Sequence, residues 1–169
     1  SPYRNEKGEI AGSMAVVSDI TERKQAQDAL SVSEDRFRSL VEISPEAVLI
    51  IAADGELKFA NQAAAKLFRA PDPEAMVGRN QLDLVDPEFH ANLGQRRQTA
   101  LAGGGTQAPL EVKLVRFDGT NFDGEGSLAQ IIWNDQPALQ SVLRDITERK
   151  QLERELAQAQ KMEAVGQLT

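Results

Sequence analysis

One seven-residue string, DITERKQ, occurs twice in this chain of 169 residues, at Asp19–Gln25 and again at Asp145–Gln151. Seven consecutive identities at an offset of 126 positions are not a chance match, and Val16/Val142 and Leu30/Leu156 extend the match on either side. Self-similarity at a fixed offset marks a repeated structural unit. This offset is too long for a solenoid repeat and suits a tandem of whole domains, each closed by the same junction. Strand-like residues precede each copy, Ser13–Ser18 and Leu139–Arg144, and a run rich in Glu, Gln, Lys, Ala and Leu follows. The junction therefore reads as strand into helix.

The local chemistry of that junction is helix capping. Asp145 is expected to accept a backbone N–H at the helix start, with Glu148 three residues on reaching back as a capping box. Asp19 and Glu22 repeat the arrangement, and acids suit the positive helix end. Capping alone explains an Asp–Glu pair; recurrence of the whole string points to a junction with a dedicated task. Asp19, Thr21 and Glu22, and Asp145, Ile146, Thr147 and Glu148, are thus the candidate signal-transfer residues.

Both helices carry a seam. Arg23, Ala26, Leu30, Ser33, Phe37 and Leu40 are spaced alternately by 3 and 4, as are Arg149, Leu152, Leu156, Ala159 and Glu163. A repeat averaging 3.5 presents one stripe to a partner helix. Leu30, Phe37, Leu40, Leu152, Leu156 and Ala159 are the candidate dimer seam, and a homodimer through the flanking helices is the partner they imply. For residues 31–43 a helix lying on its own domain fits equally well. Residues 147–169 have too wide a polar face for a core helix, and would extend about 35 Å.

Between the helices the texture changes. Ser44 and Pro45 end the first helix. Ala47–Ala53 reads as a buried strand, Asp54–Gly55 as a hairpin turn, and Glu56–Ala60 as the partner strand. Asn61 caps a short helix over 62–68. Asp86 and Pro87 open a longer helix ending at the triple glycine 103–105. Strands are expected at Pro109–Phe117, Gly126–Trp133 and Ala138–Ile146. The tally is an α+β domain with a five-stranded antiparallel sheet and short helices on one face.

These residues support a family resemblance. ISPEAVLII and ADGELKFAN within 43–61, AAAKLF at 63–68, Gly78, and RFDGTNF at 116–122, in this order, resemble the PAS family over about residues 34–146. DITERK resembles the PAC junction that follows many PAS domains, and KGEIAGSMAVVSDIT resembles the last hairpin of a preceding one. KMEAVGQLT at 161–169 is similar to the lead-in to the phosphoacceptor helix of histidine kinases. The resemblance implies four segments: 1–20 closing a preceding PAS/PAC unit, 21–43 a signalling helix, 44–146 the PAS domain, and 147–169 a helix leading into kinase domains in cis. It implies a sensory relay controlling autophosphorylation in a two-component system. The alternative is a dimerisation module for another output, such as a diguanylate cyclase. The piece itself is expected to carry no catalysis, its parent being a protein-histidine kinase.

Composition narrows the chemistry. There is no Cys and one His, His90, which removes thiolate nucleophiles, cysteinyl adducts and sites needing two His ligands. A net charge of −7 and 5 % aromatics disfavour nucleic acid. The acidic clusters lack calcium-loop spacing, and Gly103–Gly105 lacks the Lys-Ser/Thr of a phosphate loop. Haem is disfavoured because His90 sits near the start of its helix, and flavin because the adduct-forming Cys is missing, so no cofactor is indicated. No apolar run approaches the ~20 residues of a membrane span; a cytoplasmic location, with a parent that can be membrane-attached, is the expectation. Leu49, Ile51, Phe59, Leu67, Phe68, Leu84, Phe89, Leu114, Ile131 and Trp133 are the candidate interior, lining either a filled core or a pocket for a small molecule.

Overall fold

The run AVLIIA, apolar on both of its alternating faces, forms the second strand of a five-stranded sheet, as a strand covered on two sides must. The computed structural model describes the backbone of residues 13–167 and the side chains of residues 20–166. Its contacts divide the chain into two units, one through Val41 and one from Glu42. The first is occupied by helix α1 (Ser13–Glu42). The strand expected at Ser13–Ser18 is instead the opening of α1. A strand needs a ladder partner for its N–H and C=O groups, whereas a helix satisfies its own. Residues 1–12, most of the segment assigned to a preceding domain, lie outside the described residues.

The second unit runs β1 (Ala47–Ala52), β2 (Leu57–Ala60), α2 (Gln62–Phe68), two 3₁₀ turns (Gln81–Leu84 and Pro87–Phe89), α3 (His90–Leu101), β3 (Gln107–Val115), β4 (Asn121–Trp133), β5 (Gln136–Asp145) and α4 (Thr147–Gln167). The sheet order is β2-β1-β5-β4-β3, antiparallel throughout. The chain thus builds the two ends of the sheet separately, and its last strand closes the middle.

Local chemistry sets the turns. Asn61 is fully buried and fully used: its Oδ1 accepts the N–H groups of Ala64 (2.9 Å) and Val48 (3.0 Å), and its Nδ2 donates to Glu46 O (2.9 Å). One side chain caps α2 and ties it to the start of β1. At the other end of α2, Arg69 adopts a left-handed conformation (φ 54°) and closes the helix.

β4 begins at Asn121, five residues ahead of the start expected at Gly126. Glycine usually weakens a strand, but here Gly124 and Gly126 admit neighbours. A Cβ on Gly126 would sit 2.7 Å from Leu143 Cδ2, and one on Gly124 would collide with Leu114.

Alternation along the strands separates two faces. Leu49, Ile51, Leu57, Leu114, Phe122, Leu128, Leu139 and Leu143 point to one face and pack with Phe68 and Met76 in the core. Leu67 and Phe89 pack against that core from its margin. Phe59 pairs with Ile50, and Ile131 with Ala138, so both lie on the opposite face. Trp133 joins them there, its ring 5.7 Å from that of Phe59. Three of the ten expected interior residues therefore form a separate, half-buried apolar group on the back of the sheet.

Candidate functional site

Two features have functional geometry, the strand-to-helix junction and a cavity in the core. At the junction, Ile146 N–H donates to Asp123 O (2.9 Å), which carries the β5 ladder to the end of the strand, and Lys150 N–H donates to Ile146 O (2.9 Å), which begins the helix. Asp145 holds the turn with both carboxylate oxygens. Oδ1 accepts Thr147 N–H at 2.9 Å, and Oδ2 pairs with Arg116 at 3.1 Å. The expected capping box is only half formed. Glu148 is exposed, and among the described residues no hydrogen bond joins it to Asp145.

Arg116 is the residue that composition and spacing did not single out. Its Nε donates to Leu67 O near the C-terminus of α2 (3.1 Å), and its guanidinium lies 4.0 Å from the centre of the Phe122 ring. A cation at a helix C-terminus satisfies carbonyls the helix cannot. Phe68 meets Phe122 edge-on at 5.8 Å. Arg116 therefore touches the end of α2, a core ring and the start of α4. The RFDG turn marks its neighbourhood in sequence, but nothing in sequence shows that three elements converge on it.

The base of α4 is held a second time, on the back of the sheet. Arg149 pairs with Glu111 (2.9 Å) and Glu125 (3.6 Å), Lys150 with Glu111 (3.2 Å), and Arg154 with Asp123 (3.5 Å). Lys150 and Arg149 hold the Glu111 carboxyl below its ordinary range, Lys150 by hydrogen bond first. Farther along, Leu152, Leu156 and Ala159 are exposed on one arc of the helix, at 57 % and 60 % for the two leucines. On α1, Leu30 and Leu40 are exposed to a similar degree and Phe37 less so. Thr21 and Glu22 are exposed, and the side chain of Asp19 lies outside the described residues.

The cavity, of about 50 Å³, lies between the sheet and the helical layer. Of the ten expected interior residues, Leu49, Ile51, Phe68, Leu84 and Leu114 line it. Phe59, Leu67, Phe89, Ile131 and Trp133 do not. Two buried polar residues join the wall, Gln81 and Ser141. Half-buried Leu93 and Arg96 of α3 and Leu110 of β3 mark its rim, where Arg96 donates to Ala108 O. His90 is elsewhere, its Nε2 donating to Val85 O at 2.9 Å. No group of three or more His, Cys, Asp or Glu that could hold a metal ion occurs among the described residues.

Comparison with known proteins accords with this architecture. The model of the PAS domain family matches residues 45–148, more than half of the chain, so the chain belongs to the PAS domain family. Its relatives by sequence are two-component sensors and kinases. It is 27 % identical to sporulation kinase A of Bacillus subtilis over 98 % of its own length and 27 % of that protein's. It is 29 % identical to the two-component sensor PprA of Pseudomonas aeruginosa, over 98 % of the chain and 18 % of that protein. The chain thus spans only 18–27 % of the length of these two curated relatives. In fold it matches the crystal structure of a PAS domain from a two-component sensor histidine kinase, with a TM-score of 0.56 and 17 % identity over 68 % of this chain and 98 % of that one. No helix among the described residues is long and apolar enough to cross a membrane.

Proposed function

We propose that this PAS domain relays a signal into α4 and thereby regulates the autophosphorylation of a histidine kinase in the same polypeptide. The observation that carries the reading is the double grip of Asp145, which ties the last strand, the Arg116 cluster and the first turn of α4 into one unit. A shift in the core that moves Phe68 or the end of α2 acts on Arg116, hence on Asp145, hence on the helix. Allosteric coupling typically amounts to about 1–3 kcal/mol, and a helix cap with a partly buried ion pair lies within that range. In this reading Leu152, Leu156 and Ala159, with Leu30, Phe37 and Leu40 upstream, pack against a second copy, residues 1–20 close a preceding PAS unit, and the module works in the cytoplasm. The chain itself carries no catalysis; the kinase domains follow it.

The test is Asp145→Ala in the full-length parent. Its autophosphorylation, or its response to signal, should change by several-fold while the folded population is retained. Unaltered kinase activity and response in a folded variant would remove the basis of the proposal.

A further inference from the structure

Past the end of β5 the chain stops burying apolar surface. Ile146, 4 % exposed, precedes α4 by one residue; among the described residues of α4 itself only Lys150 is half-buried, and all the others are exposed. Charge is what rests the helix base on the sheet. Arg149 pairs with Glu111 (2.9 Å) and Glu125 (3.6 Å), Lys150 with Glu111 (3.2 Å), and Arg154 with Asp123 (3.5 Å). The side chains in these four pairs are between 23 % and 64 % exposed, so dissolved ions reach all of them. The register of the sheet sharpens the arrangement. Glu111 and Glu125 are direct neighbours across β3 and β4, a like-charged pair that is unfavourable by itself and that Arg149 bridges. The Asp145–Arg116 pair at the junction is better shielded, its Arg116 being 14 % exposed.

We propose that the base of α4 is a sensor of ionic strength: at low salt its cations hold it on the back of β3 and β4, and rising salt releases it while the capped junction stays closed. Screening supplies the sensitivity. The Debye length falls from about 30 Å at 0.01 M salt to about 3 Å at 1 M, so pairs at 2.9–3.6 Å pass from unscreened to strongly screened. Two effects then act in the same direction. Salt weakens the attraction that holds the helix down, and it also relieves the Glu111–Glu125 repulsion that returns when the helix leaves. The released helix does not expose an uncompensated Arg149, because Glu153 lies 3.6 Å from it one turn along. A seat made of apolar contacts would behave differently, since added salt leaves apolar burial unchanged or strengthens it. The seam is not consumed by docking. At 3.6 residues per turn, Leu152 projects to the side of α4 opposite Lys150, and it is 57 % exposed.

The inference names an input for the relay proposed above and rests on that reading only for its effect on the kinase. Release itself is read on the chain of 169 residues by hydrogen exchange at constant pH, with protection taken relative to the intrinsic rate in the same solution. A helix base without its seat frays, because short stretches of helix are marginal alone. Between 0.05 and 1 M KCl, protection at 149–154 should fall about fivefold, the change expected when four exposed pairs each lose about half their strength. NaCl should act like KCl, and sucrose at equal osmolality should have no effect. The triple variant Glu111→Gln, Asp123→Asn, Glu125→Gln should show the low protection already at 0.05 M and respond little to salt. Protection at 149–154 that stays level in KCl, that falls in step with the strands, or that falls equally in sucrose would each overturn the proposal. So would a folded triple variant that keeps the full salt response. The salt profile of the unmodified protein decides the matter even if the variant does not fold. Release by salt, with autophosphorylation of the full-length parent unchanged over the same range, would instead count against the relay.

Discussion

Removing Arg116 tests whether the junction and the core are one mechanical unit. Its side chain is 14 % exposed and that of Asp145 36 %, so their ion pair is only partly screened and is worth about 1 kcal/mol. The charged hydrogen bond to Leu67 O adds about 1.5 kcal/mol at the low end of its class. The stack on Phe122 adds about 0.5 kcal/mol. Arg116→Ala should therefore destabilise the domain by about 3 kcal/mol. Asp145→Ala loses the same ion pair plus the cap on Thr147, about 2 kcal/mol together. Because the pair is counted in both, the double variant should cost about 4 rather than about 5 kcal/mol, a coupling of about 1 kcal/mol. Urea unfolding of the four proteins measures it, and hydrogen exchange of the first turn of α4 should quicken in both single variants. A coupling indistinguishable from zero would mean that Arg116 and Asp145 act independently, and the route from core to helix would lose its central link.

Two further outcomes concern the α4 base and the sheet. Glu111→Gln should loosen residues 149–154 and speed their amide exchange while leaving the sheet protected, because Glu111 is the shared partner of Arg149 and Lys150. Its carboxyl titrates below the ordinary value of 4.5, so the unfolded or undocked state binds the proton more readily. The contact is then fully present above that value and is lost as pH falls through the lowered one; protection at 149–154, the exchange rate taken relative to the intrinsic rate at the same pH, should fall only in that acid range and stay constant between pH 6 and 8. Gly126→Ala puts a methyl against Leu143 on the wall of the cavity, and should cost about 1–3 kcal/mol in thermal or urea unfolding as an overpacked site. An Ala variant as stable as the parent would show that the β4–β5 packing yields more easily than the close approach implies.

The repeat and the apolar alternation made most of the fold readable in advance. Asn61 and the 62–68 helix, the Asp54–Gly55 turn, the three later strands and the exposed heptad of α4 are local, and residue type within a few positions decides them. Gly124 and Gly126 concealed the first five residues of β4, because what they accommodate, Leu114 and Leu143, comes from other strands. Phe59, Ile131 and Trp133 read as core since apolar residues on strands ordinarily are; only pairing register shows that they point to the back of the sheet.

Sequence by itself determined that an α+β domain ends in a capped strand-to-helix junction, with Asp145 at its centre. That information is carried by nearest neighbours, but the string alone does not make the junction: its first copy, Asp19–Gln25, lies within α1 with helix on both sides, and only the second copy follows a strand that the sheet pairs. Tertiary structure alone decided what the junction is attached to: Arg116 beneath Asp145, Glu111 beneath Lys150, and Gln81 with an unpartnered oxygen in a small apolar cavity. Each depends on strands and turns far apart in the chain meeting at a particular register, and a slip of one residue would send those side chains to the opposite face.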